Sequence, residues 1–107
     1  MSSDNAWSKS ATALAANNSD PILLPSYAER FMVMAKPGGG GSCTVYLTCD
    51  DPDSVSADPD SATWVAWDTG SVSADTVKAL TGHPTALRLA AVTADAVLTV
   101  SGRRTNR

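Results

Sequence analysis

The chain has 107 residues, 43% of them hydrophobic, and a formal net charge of −3. This length predicts one domain with a modest core, because a small domain buries only about two-thirds of the surface that its unfolded chain exposes. The acidic balance argues against non-specific nucleic-acid binding, which needs a basic surface. No run approaches the roughly 20 apolar residues of a membrane span. Residues 1–20 also lack the basic and apolar regions of a secretory signal, so we expect a protein that is made and used without export.

Residues 1–20 are small and polar apart from a few apolar side chains, among them Trp7 and Leu14. This composition cannot build its own core, and the alanine-rich stretch is too short for a stable helix. One interpretation is an extended N-terminal arm, in which Trp7 and Leu14 anchor on a neighbouring subunit. The alternatives are a flexible tail or a first strand that folds back on its own domain.

Two strand patterns follow the arm. The apolar run Ile22–Leu24 lies between two prolines, and proline donates no ladder hydrogen bond, so the run predicts a short edge strand. Residues 29–36 alternate, with Phe31, Val33 and Ala35 on the more apolar face, and predict a second strand.

Four consecutive glycines, residues 38–41, come next. They lack the Lys-Ser/Thr pair that ends a phosphate-binding loop, and no helical pattern follows them. Residues 43–49 instead alternate with period two. The glycines therefore predict a flexible hairpin connection between two strands.

Cys43 and Cys49 are the two cysteines of the chain. At opposite ends of a strand they would lie about 20 Å apart, whereas a disulfide needs Cα atoms within about 7 Å. We expect two buried thiols that act as small hydrophobic side chains. A zinc site is not expected, because His83 is the single histidine and there is no CxxC pair.

Residues 50–60 contain five aspartates and two prolines. Clustered carboxylates suit calcium, but the segment lacks the sixth-position glycine and twelfth-position glutamate of an EF-hand loop. Asp-Pro and Ser-x-Asp patterns also form turns through local side-chain hydrogen bonds. We favour a solvated acidic loop that prefers a basic partner surface, with calcium binding as the alternative.

The clearest strand pattern is residues 62–68, which ends in a turn signal at Asp68–Gly70. Trp64 and Trp67 fall on opposite faces of this strand. One of them is expected in the core and the other toward the surface or a partner, where a tryptophan can anchor an interface or a sugar.

The last third of the chain adds three strand patterns. Residues 73–80 predict an irregular strand that places Val77 and Leu80 in the core, followed by a turn in which His83 is exposed and inert. Residues 85–92, with Leu87, Leu89 and Ala91 on one face, and residues 96–100 then predict a hairpin whose strands have typical lengths.

These runs give seven or so short strands and no long helix. The pattern predicts an all-β fold, an antiparallel two-sheet β-sandwich of immunoglobulin-like or jelly-roll type. We expect an N-terminal arm at residues 1–20, the sandwich at residues 21–102 and a basic C-terminal tail at residues 103–107. No acid/base pair has a recognisable catalytic spacing, so we expect no enzymatic activity, no metal and no cofactor.

Residues 63–100 resemble small β-sandwich virion proteins of tailed bacteriophages. The resemblance rests on the Thr-Trp strand (Thr63, Trp64 and Trp67), on a turn at residues 82–84, and on the strands at residues 85–89 and 97–100. His83 separates the glycine and proline of that turn, which departs from the commonest form.

The resemblance implies a non-enzymatic structural protein of the virion, made in the host cytoplasm. It implies above all a capsid decoration or cement protein that binds the major capsid protein as a homo-oligomer. A neck, tail or tail-fibre component and a glycan-binding module for the host surface are the alternatives. The candidate partner-binding residues are Trp7, Leu14, Ile22, Leu23, Trp64 and Trp67. On this hypothesis, deleting residues 1–20 leaves a folded domain that no longer binds the particle.

Overall fold

A computed structural model describes residues 6–104 of the protein. It contains eight strands, one short helix and one turn of 3-10 helix. The strands are β1 (Ala6–Ala13), β2 (Ile22–Leu23), β3 (Ala28–Pro37), β4 (Cys43–Thr48), β5 (Val65–Val72), β6 (Thr76–Ala79), β7 (Ala86–Ala91) and β8 (Ala96–Arg104). The helix α1 (Pro52–Ala57) and the 3-10 turn (Pro59–Ser61) lie between β4 and β5.

The strands form two four-stranded antiparallel sheets. The first sheet has the order β1-β8-β3-β6 and the second sheet the order β2-β7-β4-β5. The buried apolar side chains come from the inward positions of both sheets, as in β3, β7 and β8. The predicted all-β architecture of two antiparallel sheets is thereby confirmed.

The alternation of apolar residues correctly predicts which side chains enter the core. Phe31, Val33 and Ala35 of β3 are at most 4% exposed, and Leu87 and Leu89 of β7 are fully buried. This works because successive strand residues point to opposite sides of a sheet, so a period of two assigns each side chain to the core or to the outside.

Neither of the two predicted hairpins forms. β3 and β4 belong to different sheets, and so do β7 and β8. The glycine run at residues 38–41 therefore carries the chain from one sheet to the other. At Gly38 a Cβ atom would collide with the Asp95 carbonyl, so this glycine is held in close backbone contact. Alternation gives a strand one apolar side but does not say which sheet the strand joins.

Of the alternatives for the N-terminal segment, the first strand that folds back on its own domain is the one observed, so an extended arm is wrong for the described part. Residues 6–13 form β1, which pairs with β8 along its whole length, from Ala6 opposite Arg103 to Ala13 opposite Ala96. The ladder hydrogen bonds of a full strand hold this segment, together with Trp7, Ala11 and Ala13, which pack on or in the core. Residues 1–5 of the predicted arm lie outside the described residues.

The predicted C-terminal boundary at residue 102 is also wrong. β8 continues to Arg104, and Arg103 and Arg104 pair with Glu29 and Ala28 of β3. These two arginines belong to the sheet, while residues 105–107 of the predicted tail lie outside the described residues. Deleting residues 1–20 would remove a strand that pairs with β8, so it would not leave an intact sandwich.

The acidic segment is folded, which corrects the predicted solvated loop. Asp51 caps α1 by accepting a hydrogen bond from the Ser54 amide at 3.1 Å. Val55 of α1 is fully buried, which fixes the helix on the body of the protein. We refer to residues 50–61 as the acidic cap.

Candidate functional site

The outward side of the first sheet is not covered by any described segment, and we call it the bare face. The strand register aligns its side chains in rows that cross the four strands. The two central rows are Ser8, Ser101, Met32 and Ala79, then Ser10, Thr99, Met34 and Val77. None of these eight residues is charged.

The bare face has an apolar half and a hydroxyl half. On β3 and β6, Met32 is 41% exposed and Val77 is 58% exposed. On β1 and β8 the outward positions carry serine and threonine, and the Ser10 and Thr99 hydroxyls are hydrogen-bonded at 2.9 Å. The prediction that Val77 enters the core is wrong, because it pairs with Met34 on the outward side. Leu80 is buried as predicted.

A groove of about 360 Å³ opens at one end of the bare face. Its lining includes Trp7, Ser8, Arg30, Met32, Ser101 and Arg103. The register of β3 against β8 shifts between Glu29 and Met32, and this bulge lies at the groove. A bulge bends its strand and re-aims side chains, which brings Arg30 to the groove.

Arg30 is held in a strained backbone conformation. Its φ is +58°, in the left-handed region that glycine adopts without cost. Strain of this kind is characteristic of positions at which the side chain serves a function. No ion pair joins Arg30 or Arg103 to any of residues 6–104.

The outward side of the second sheet is partly covered by the acidic cap. Thr48 and Ala86 lie opposite each other on β4 and β7 at outward positions. Both are nearly or fully buried, as is Val55 of α1. The cap therefore closes this end of the sheet with a small apolar contact of its own.

A second contact between cap and sheet involves Arg88 of β7. The Arg88 guanidinium lies 4.5 Å from the centre of the Trp64 ring, and its Nη1 is 3.1 Å from the Asp60 carboxylate. The Trp64 indole donates a hydrogen bond to the Pro59 carbonyl at 2.7 Å. Trp64 thus holds the segment between the 3-10 turn and β5 in place. These contacts do not support the prediction that Trp64 is a free anchor for a partner.

Trp67 is the inward tryptophan of the pair. It packs against the core, and Lys78 lies 5.7 Å from the centre of its ring. Lys78 also bonds to Asp68 at 2.9 Å, which joins β6 of the first sheet to β5 of the second. The predicted turn at residues 68–70 is wrong, since β5 continues through it to Val72.

The other candidate anchors have different surroundings. Ile22 is 1% exposed and belongs to the core, which contradicts its assignment as an anchor. Trp7 is half-buried edge-on against Phe31, at 5.7 Å between ring centres, and the residue is among those that line the groove of the bare face. Leu23 is half-buried in β2, whereas Leu14 is 60% exposed.

The two cysteines are not equivalent. Cys43 is buried, and desolvation by that burial raises the pKa of its thiol. Cys49 is exposed, so the prediction that both thiols are buried holds for Cys43 alone. Both are free thiols.

His83 is exposed, as predicted. Its ring packs against Phe31 at 5.2 Å between centres, and its Nε2 is 3.1 Å from the Pro25 carbonyl oxygen. Within residues 6–104, no three His, Cys, Asp or Glu side chains are grouped in a way that could hold a metal ion. The same part of the chain has no helix of the length and hydropathy that a membrane crossing requires.

No protein-family model and no curated protein matches this chain. Among solved structures, similar ones include an oxalate oxidase, with 14% identity and a TM-score of 0.55 over 94% of this chain and 42% of that chain. Another is IMPa from Pseudomonas aeruginosa in complex with an O-glycopeptide, with 12% identity and a TM-score of 0.47 over 94% of this chain and 13% of that one. The chain spans less than half of either protein, and a likeness at this identity concerns the fold alone.

Much of the bare face is visible in the sequence as uncharged outward positions, such as Met32 and Met34 in β3. The groove is not, because Arg30 reaches it through a bulge that the alternation of β3 does not predict.

Proposed function

We propose that this chain is a non-enzymatic structural protein of a bacteriophage particle, a capsid decoration or cement protein. In this role it binds the assembled shell and stabilises it. The bare face is its assembly surface. The resemblance of residues 63–100 to small virion proteins supports the proposal, and so do the strand order and the surface chemistry.

The sandwich is of the jelly-roll type in this proposal. A jelly roll arises when a long ribbon of paired strands wraps into two sheets, which pairs the first strand with the last and so on inward. The pairings β1 with β8, β2 with β7, β3 with β6 and β4 with β5 all occur here. Jelly rolls form viral capsid and lectin domains.

The observation that carries the proposal is the absence of charge across the centre of the bare face. An antiparallel sheet with one solvated side ordinarily places polar and charged residues there. Here the two central rows hold serine, threonine, alanine, valine and methionine. From strand spacing and rise, the whole face measures roughly 400 Å², and its two uncharged rows cover about 250 Å² of it.

A contact of this size is weak when it is made once. It would bury roughly 800 Å² over both partners, below the 1,200 Å² or so of a stable complex. On a shell the same contact is repeated at every lattice position, so local concentration and multivalency raise the occupancy. A small protein with one modest uncharged face therefore suits repeated binding to an ordered array.

The test uses particles of the phage that encodes the chain, with copies per particle counted by electron microscopy. Val77→Glu places a charge in the centre of the bare face, and we expect it to reduce occupancy at least tenfold. Leu14→Glu is the matched control, because Leu14 is 60% exposed and Val77 is 58% exposed. We expect Leu14→Glu to bind as the native protein does.

The opposite pattern would restore Leu14 as the anchor and remove the role of the bare face. Absence of the protein from the particles would overturn the proposed function itself. A single ring of copies at the neck or tail would replace decoration by the alternative placement.

A further inference from the structure

The two ends of the bare face and the acidic cap differ in charge. The charged side chains on the bare face within the four strands are Arg30, Lys36 and Arg103, together with Glu29, which lies opposite Arg103. The acidic cap on the second sheet holds five carboxylates and no basic residue: Asp50, Asp51, Asp53, Asp58 and Asp60. The small net charge of the whole chain conceals this separation.

Most of these charges are not neutralised within the described chain. The ion pairs within residues 6–104 are Lys78 with Asp68 and Arg88 with Asp60. Arg30 and Arg103 at one end of the bare face, and Lys36 at the other, have no such partner. In the cap, Asp53 is exposed and makes no ion pair with a described residue.

The groove at the arginine end has the chemistry of a carboxylate site. Two arginines flank it, Met32 supplies an apolar wall, and Ser8 and Ser101 add hydroxyls. Guanidinium groups bind carboxylates through paired, charge-assisted hydrogen bonds. The positive φ of Arg30 costs stability that glycine would avoid, as is found at positions that serve a function.

We propose that the occupant of the arginine groove at the end of the bare face is the acidic cap of a second copy, so that copies associate head to tail while the uncharged centre of the face contacts the shell. The inference rests on the proposed function for the role of the bare face as an assembly surface. A contact between two different surfaces of the same chain is heterologous. It closes into a ring when the rotation allows closure and otherwise continues as an open filament.

Charge disfavours the simpler pairing of two bare faces. Arg30 and Arg103 lie at one end of the face, and Lys36 lies at the other. Two apposed faces would bring basic side chains together at these ends, with Glu29 as the one acidic side chain of the four strands to offset them. The cap offers opposite charge instead, and complementary potentials favour the encounter and fix its orientation.

Sedimentation velocity of the purified full chain, without any shell, tests this inference. At about 0.01 M salt, where screening extends over about 30 Å, we expect the mean mass to rise with concentration up to the millimolar range. At about 1 M salt, where screening falls to about 3 Å, we expect monomers. A native protein that stays monomeric at low salt over this range overturns the inference, whether or not it binds shells.

Two variants separate the surfaces. The face variant carries Arg30→Gly and Arg103→Glu, and the cap variant carries Asp53→Lys and Asp58→Lys. We expect each alone to associate at least tenfold more weakly than the native chain. An equal mixture of the two should form a two-copy complex and nothing larger, because it contains one intact face and one intact cap.

The same mixture distinguishes the alternatives. If the face variant alone still associates normally, or if the mixture does not form the two-copy complex, head-to-tail docking is wrong. Lys9→Glu is the charge control, since Lys9 lies on β1 in the groove toward β2 rather than on the bare face. We expect it to associate as the native chain does.

Arg30→Gly alone guards against misfolding as the explanation. Glycine adopts the positive φ without strain. The thermal midpoint of the Arg30→Gly variant should therefore equal or exceed that of the native protein, while its association weakens. A variant that is both less stable and less associated would assign Arg30 a structural role and would contradict the inference. If shells then bind the monomeric protein in a salt-sensitive way, an acidic shell surface is the occupant.

Discussion

The two outer faces of this sandwich have the same backbone architecture, but an inserted segment of the chain covers part of one face and not the other. The second sheet is covered by its own connection between β4 and β5, which folds into α1 and a 3-10 turn around the buried Val55. The first sheet receives no such insert among residues 6–104, and Met32 and Val77 lie exposed in its centre. One face is partly covered by an insert of the chain itself, while the other is covered by no described segment.

This difference shows that net charge and composition are poor guides to a surface. The acidic cap and the basic ends of the bare face nearly cancel in the sum of charges. Because they lie on opposite sides of the sandwich, the molecule has a polar direction, from the acidic cap to the basic ends of the bare face. A protein with such a direction can add to an assembly in a defined orientation.

The largest expected effect is the difference in stability between a substitution under the acidic cap and the same substitution on the bare face. Val55→Asp buries an unpaired charge under the cap, and we expect a loss of about 3 kcal/mol or more in the free energy of unfolding. Val77→Asp places the same charge on the bare face, where the change should stay within about 1 kcal/mol. Denaturant unfolding at low protein concentration measures both. Similar losses would mean that the bare face is covered within the monomer.

The packing of core side chains beneath the bare face provides the next test of this comparison. A Cβ atom at Gly102 would lie 2.6 Å from Phe31 Cδ1, in the core below the groove. We expect Gly102→Ala to cost about 2 kcal/mol, because overpacking displaces the ring and the strand. Its neighbour Ser101 points outward, so Ser101→Ala should change stability by less than about 0.5 kcal/mol. Thermal unfolding compares the two, and a neutral Gly102→Ala would mean that Phe31 is free to move.

A smaller effect is expected where Trp64 holds the cap on the second sheet. Trp64→Phe removes the hydrogen bond to the Pro59 carbonyl and weakens the stacking on Arg88. We expect a loss of about 1 kcal/mol, with Met34→Leu on the bare face as a near-neutral control. Hydrogen exchange of α1 amides provides the second readout. Unchanged exchange in the Trp64 variant would show that Val55 alone retains the cap.

The smallest effect concerns the thiols at either end of β4. Exposed Cys49, at the start of the capped connection, should react fast with a thiol reagent, while buried Cys43 reacts only on unfolding. Burial raises the pKa of the Cys43 thiol above the ordinary value of a free thiol. The stability from keeping this thiol protonated is therefore present below that ordinary pKa and lost as the pH rises through the higher folded pKa.

Thermal midpoints of the native protein and Cys43→Ala, measured from neutral to alkaline pH, check this sign. The native protein should lose stability at alkaline pH more steeply than the variant. Equal slopes, or fast labelling of both thiols in the folded protein, would show that the interior is open to solvent.

Several elements were predictable because local pattern suffices for them. The alternation in β3 and β7 correctly assigned Phe31, Val33, Leu87 and Leu89 to the core, and the prolines around Ile22 marked a short edge strand. Outward positions without charge, such as Met34, were also present in the pattern. The anchor residues were less predictable, since Ile22, a candidate anchor, lies in the core.

The sequence by itself determined the all-β class, most strand positions and the inward side of the strongest strands, because a period of two acts within a single strand. The tertiary structure decided which sheet each strand joins, that residues 6–13 are a strand, and that the acidic segment covers one face. These outcomes depend on pairings between residues as far apart as Ala6 and Arg103. The energies of such long-range contacts are not encoded in any local window of the chain.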